Sequence, residues 1–293
     1  MAVASTPQLT GRPGRRRLNP QRASTGTLAL FGALIWLAVV AIPLAFTLIE
    51  TLKSQADSMS TTPWSLPNPT LSNYQLVITG QFLRYLFNSV VTSVVAVLLS
   101  LFVGSLAAYA LARIRGRINS LLYLLFVAGL AVPVYAAIVA TYRITISIGL
   151  YDTLPGLILP LAGTSLPITV FILAAFMRSI PEELELAMSI DGAGYLRRYF
   201  QLVLPLARPA LGTVAIFTFI GDWNNFIFPL VLTTTDSNRT LPLAVSNYEG
   251  EYSINVPAVL TVVVLSALPL IIFYLLQRRN FIQGLTMGAL SAM

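Results

Sequence analysis

Uncharged residues run along this chain in long blocks. Stretches free of Asp, Glu, Lys and Arg cover 23–49, 85–112, 118–142, 153–177 and 252–277, and a further block, 209–235, is broken by Asp222 alone. A helix needs about 20 apolar residues to cross the bilayer core, and each block reaches that length. The pattern predicts an all-α polytopic membrane protein with six transmembrane helices. It divides the chain into a basic tail (1–26), a six-helix domain (27–277) and a second tail (278–293).

Composition strengthens this reading. Hydrophobic types make up 56% of the 293 residues, charged types 10%, and the mean hydropathy is +0.78. Soluble domains are about 45–50% apolar and about 25% charged, so too little charge remains to coat a water-soluble globule. The chain has no Cys and no His. That excludes disulfides, thiolate and imidazole metal sites, Cys nucleophiles and His bases. No catalytic residue and no metal ligand is assigned. Every basic residue but Lys53 is arginine, and Lys53 sits in Thr51-Leu52-Lys53-Ser54 with no glycine near it. A P-loop needs a Lys after a Gly-rich loop, so this chain carries none. ATP-driven work would need an ATPase on another subunit.

Charge placement orients the spans. Arg12, Arg15, Arg16, Arg17 and Arg22 precede the first block; Arg113, Arg115 and Arg117 follow the second. Arg178, Arg197, Arg198 and Arg208 follow the fourth, and Arg278 and Arg279 follow the sixth. The opposite connections hold only Lys53, Arg84, Arg143 and Arg239. The arginine-rich side is cytoplasmic by the positive-inside rule, with both termini inside a bacterial or archaeal plasma membrane. The basic charge is thus a topology signal, and scattered over four loops it does not form a nucleic-acid patch. The first apolar run is too long for a signal-peptide core and is read as an uncleaved span. A twin-arginine signal in Arg15-Arg16-Arg17 is the alternative. Of the long outside loops, 50–84, with Pro63, Pro67 and Pro69, is expected to be irregular with one short helix. Gly104, Ala108 and Ala112 recur every four residues in the second span, a spacing that lets helices approach closely.

The cytoplasmic segment 178–208 carries the most information. Pro181 suits a first helical turn. Glu182, Glu183 and Glu185 follow, where carboxylates favour the positive dipole end. Leu184, Ala187 and Met188 make one apolar face, and Gly192 and Gly194 break the helix. Acidic on one side and apolar on the other, this short helix fits a protrusion docked in a partner's groove. Resting on anionic lipid is disfavoured, because the acids would be repelled.

Ile180-Pro181, the acidic helix, Asp191-Gly192-Ala193 and Leu204-Pro205 resemble the cytoplasmic EAA loop of ATP-binding-cassette importer permeases. The resemblance is narrowest to the carbohydrate-uptake group, the second permease of maltose-type systems. Asn88-Ser89, Ala107 to Arg113, Gly149 to Thr153, Gly156 to Pro160, Trp223-Asn224 with Pro229, Thr240-Leu-Pro242, Gln277 and Gly284 to Ala289 extend it through most of the chain. The resemblance implies a subunit that pairs with a second permease, with two copies of an ATPase that bind ATP and Mg, and with an extracytoplasmic sugar-binding protein. The cofactors would belong to the ATPase, not to this chain. Glu182, Glu183, Glu185, Leu186, Ala187, Asp191 and Gly192 would form the coupling helix that transmits ATPase closure. Aligned on Asp191-Gly192, the family's Glu-Ala-Ala falls on Leu186-Ala187-Met188, so its usual Glu is a Leu. Glu185 lies one residue earlier, about 100° round the helix. Either it takes over the lost contact, or the ATPase groove is more apolar there.

Asp222 is the one ionisable residue well inside a block, and intramembrane acids default to a functional reading. Trp223, Asn224 and Asn225 follow it. An aromatic face and amides suit sugar recognition, so these four are candidates for the substrate path. Packing and repair of a helix break are the structural alternative. In the loop 233–255, Tyr248, Glu249 and Tyr252 are expected to reach a binding protein, as in similar permeases. A sugar or oligosaccharide is the expected cargo. A polyol or glycerol phosphodiester comes second, since no arginine lies deep in a span to meet phosphate. A proton-coupled secondary carrier using Asp222 comes third, and no internal repeat supports it.

Overall fold

In this computed structural model the backbone is described for residues 20–248 and 254–290, and the side chains for 29–248 and 254–275. The chain forms two compact units, Met1–Thr47 and Leu48–Met293.

Helix α1 (Pro20–Thr51) supplies the described part of the first unit. Leu30, Phe31, Leu34, Trp36 and Leu37 all stand exposed on it. A helix apolar over so much of its surface is stable in lipid, where its backbone bonds are all internal.

In the second unit, α2 (Gln55–Ser60) and α3 (Ser72–Thr79) occupy the long loop, so it holds two short helices rather than one. The loop is tied by the lone lysine. Lys53 is buried and its Nζ donates to Glu50 Oε1 at 2.6 Å and to the carbonyls of Thr62 and Pro63. Three donors meet three acceptors, the condition under which an ammonium tolerates burial. Asn73 donates to the carbonyls of Thr51 and Lys53 and closes the knot.

Helix α4 (Phe82–Arg113) is the axis of the unit. It packs along α7 (Leu154–Arg178), and α11 (Arg208–Trp223) packs on both. A Cβ on Gly104 would lie 2.5 Å from Thr169 Cγ2, so glycine sets this close approach. Helix α13 (Val256–Leu290) packs on α11 and continues as helix through positions 278–290 of the expected tail. Residues 1–19 and 291–293 lie outside the described residues.

The third block, read as uninterrupted, is broken, and the fifth is broken close to Asp222. The third span is α5 (Arg117–Gly129) and α6 (Val134–Ser147), bent by 103° at a break before and at Pro133. A residue preceding proline is pushed out of the α region, which periodicity does not register. The fifth block is α11 followed by α12 (Ile227–Leu232), because the chain leaves the helix at Asn224. Between α7 and α11 lie α8 (Glu182–Ile190), α9 (Tyr195–Arg198), a π-helical turn Tyr199–Val203, and α10 (Leu204–Leu206). Among the described residues four helices are long and apolar enough to cross a membrane, or up to six if the bent pairs Arg117–Gly129 with Val134–Ser147 and Tyr195–Leu206 with Arg208–Trp223 each count as one span.

Candidate functional site

Helix α8 starts after Pro181 and stops at Asp191. Gly192 follows at φ +80, with its N–H on the Ser189 carbonyl and that of Ala193 on the Met188 carbonyl. This is a Schellman stop, and the left-handed position favours glycine. The helix buries only one residue, and that residue is a glutamate. Glu185 is buried, with 4% of its surface exposed, while Leu184, Leu186 and Ile190 are exposed, Ile190 by 87%. Glu182, Glu183, Ala187 and Asp191 are exposed as well.

The buried carboxylate is held by the Arg113 end of α4. Tyr109 Oη donates to Glu185 Oε2 at 2.8 Å, and Arg113 Nε donates to Glu185 Oε1. Arg113 Nη2 also donates to the Ile180 carbonyl at 3.1 Å. Tyr109 packs against Tyr199 with ring centroids 5.4 Å apart, and the Tyr199 hydroxyl shares a 2.7 Å hydrogen bond with Ser105. Glu185 faces inward, where Arg113 and Tyr109 satisfy it. Arg113 and Tyr109 were legible only as part of a motif, without their partner. Arg115 and Glu182 form a second, exposed ion pair at 3.1 Å.

The four candidates around Asp222 do not converge on an open aromatic face. Trp223 is 3% exposed and packs on Phe219, with Nε1 donating to the Ser266 carbonyl. It is core, since α11 ends there and turns the indole onto α13. Asn225 Oδ1 accepts from the N–H of Phe228 and so starts α12. Asp222 is 8% exposed and accepts from Ser165 at 3.3 Å, and its Oδ2 has no partner. Asn224 alone of the four is exposed. It borders a cleft of about 260 Å³ with Trp223, Leu241, Val245, Val262 and Ser266, whose buried Oγ is also without a partner.

The other end of α4 holds the segment after α12. Asn88 Nδ2 donates to the carbonyls of Ser237 and Arg239, both at 2.8 Å, and Ser89 Oγ accepts from the N–H of Leu241. Tyr85 Oη donates to Asp236. Asp152, at φ 56 in the turn before α7, clasps the same segment from another side. Burial pushes its carboxyl up, but N–H donors from Thr234 and Thr235 and the Asn238 amide outweigh that and hold it below the ordinary carboxylate value. Tyr248 is half-buried at the end of the 3₁₀ helix Leu241–Tyr248. Glu249 and Tyr252 lie outside the described residues. Among the described residues no cluster of three acids could hold a metal ion.

The model of the binding-protein-dependent transport system inner membrane component matches residues 100–282. The chain belongs to that family. This transport component is 40% identical over 256 residues to an ABC transporter permease protein of Caldicellulosiruptor sp., covering 87% of this chain and 93% of that protein. It is 35% identical to the diacetylchitobiose uptake system permease protein of Streptomyces coelicolor over 259 residues, covering 87% of this chain and 85% of that protein. Its fold matches a chain of a bacterial ABC transporter involved in import of the acidic polysaccharide alginate. There the TM-score is 0.79 at 20% identity, covering 91% of this chain and all of that one. The family is a transport component rather than a catalyst, and it is embedded in the membrane.

Proposed function

We propose that this chain is one of the two membrane-spanning subunits of a sugar or oligosaccharide importer, driven by a separate ATPase. The observation that carries the reading is the exposed apolar surface of α8. This nine-residue helix buries Glu185 alone of its three glutamates and exposes Leu184, Leu186 and Ile190, with nothing among the described residues to cover them. In water such a surface calls for a partner. Glu182 and Glu183 at its start complement a basic rim on that partner, and Leu186 and Ala187 sit where the groove would close. Two copies of the ATPase would supply ATP, Mg and the hydrolytic step. This chain would supply the docking helix and the moving spans.

The arginine-rich ends support a cytoplasmic position for α8 and both termini by the positive-inside rule. The segment 234–241 would then face outward, toward an extracytoplasmic binding protein, with Tyr248, Glu249 and Tyr252 beyond it. Identity to a diacetylchitobiose permease supports a sugar as cargo. Asn224 and Ser266 on the cleft beside Trp223 are the polar groups best placed to meet hydroxyls, whereas Asp222 turns to Ser165.

The test is purification of the tagged chain from its native membrane in mild detergent, followed by reconstitution. The expected result is recovery of a P-loop ATPase and a second multi-span permease, with uptake of a radiolabelled disaccharide only when ATP and the associated binding protein are present. Recovery of the chain alone, or uptake driven by a proton gradient without ATP, overturns the reading.

A further inference from the structure

The two ends of α4 are both tied by buried side chains to parts of the chain far away in sequence. At one end Arg113 and Tyr109 hold Glu185 of α8. At the other Asn88 and Ser89 hold the 237–241 backbone, and Tyr85 reaches Asp236. Asn88 and Arg113 are separated by about 37 Å at 1.5 Å per residue. No proline lies inside α4, whereas α1 has Pro43, α7 has Pro160 and Pro167, and α13 has Pro269. Internal prolines are where long helices kink, so α4 transmits a push with least bending.

The covalent neighbours of α8 are poorer routes. Pro181, at ψ 130, separates it from α7. Toward α11 the chain passes Gly192, Gly194, a π-helical turn and a 73° bend. Each is a place where backbone rotation absorbs displacement. The carboxylate of Glu185 is instead gripped at both oxygens by charge-assisted or phenolic donors, the stronger class of hydrogen bond.

We propose that α4 is the strut that carries coupling across the membrane: displacement of α8 passes through Glu185 to Arg113 and Tyr109, and along α4 to the 236–241 segment held by Asn88 and Ser89. This rests on the reading of α8 as the ATPase-docking helix. Arg113, Tyr109, Asn88 and Ser89 are positioning residues in it. A coupling pathway needs evidence of coupling rather than of intermediacy.

The chain has no cysteine, so Thr235→Cys, at an exposed site on the far segment, gives a single thiol. Its rate of labelling with fluorescein maleimide is measured on the purified complex, nucleotide-free and after trapping with ATP and vanadate, resolving this chain on a gel. The parent is expected to show at least a threefold change in rate. Arg113→Gln and Asn88→Ala should each bring the ratio close to one with the ATPase still bound, while Arg113→Lys, which keeps the charge opposite Glu185, retains most of it. Leu161→Ala, a cavity in a core cluster that contains none of the tie residues, should keep the ratio and so separates coupling from general loosening. If Arg113→Gln loses the ATPase, Asn88→Ala at the opposite end decides alone. A full ratio in Asn88→Ala, or in an ATPase-bound Arg113→Gln complex, overturns the strut and leaves the docking reading standing. A parent complex without ATPase overturns both.

Discussion

Asp152 shows how much a single turn residue can organise. Its carboxylate accepts from the N–H groups of Thr234 and Thr235 while its own N–H donates to the Leu232 carbonyl. A carboxyl held below its ordinary value stabilises the fold fully above that value and loses the contribution as the pH falls through the lowered one. The stability difference between the parent and Asp152→Asn should therefore be constant at about pH 6–8 and shrink as the pH falls below the ordinary carboxylate value of about 3.9. Thermal unfolding of the detergent-solubilised protein across that range checks it; a difference independent of pH would sink the assignment. The sequence pointed to Gly149 to Thr153 only as a motif. That Asp152 grips the segment after α12 was hidden, because the partners lie some eighty positions away.

Helix pairing is where small residues matter. Gly104 faces Thr169 so closely that a methyl group would collide, whereas a Cβ on Gly163 of the same helix pair meets nothing within 4 Å. Overpacking costs about 1–3 kcal/mol, and Gly→Ala in an open helical site gains about 0.4–1 kcal/mol by restricting the unfolded chain. Gly104→Ala should lower the unfolding temperature in detergent and Gly163→Ala should leave it equal or raise it. Equal effects at the two sites would show that α4 and α7 do not meet as described. The four-residue recurrence of Gly104, Ala108 and Ala112 was legible in the sequence as a contact stripe. Which helix it meets was not, since α5, α7 and α11 offer equally apolar surfaces to a one-dimensional reading.

Topology belongs to the whole molecule. The cysteine-free chain permits a direct check with a membrane-impermeant maleimide on intact cells. Thr235→Cys should be labelled from outside, and Gln201→Cys, exposed in the π-helical turn beside α9, only after permeabilisation. The opposite pattern would reverse the orientation and put α8 on the wrong side for an internal ATPase. Helix α8 at one end of α4 and the 234–241 segment at the other are the two surfaces that the proposed coupling joins.

Hydropathy and charge by themselves determined that the chain is built of long apolar helices for a membrane, and where a short acidic helix lies between them. Those properties are set by local composition, since about 20 residues in lipid must satisfy their own backbone whatever lies next to them. Only the tertiary structure decided which way side chains turn. Glu185 points inward because Arg113 and Tyr109 wait for it, Trp223 is core because α11 ends against α13, and Lys53 is buried because Glu50 and two carbonyls surround it. Each outcome depends on a partner brought close by folding, and a buried charge or an indole takes whichever side can satisfy it.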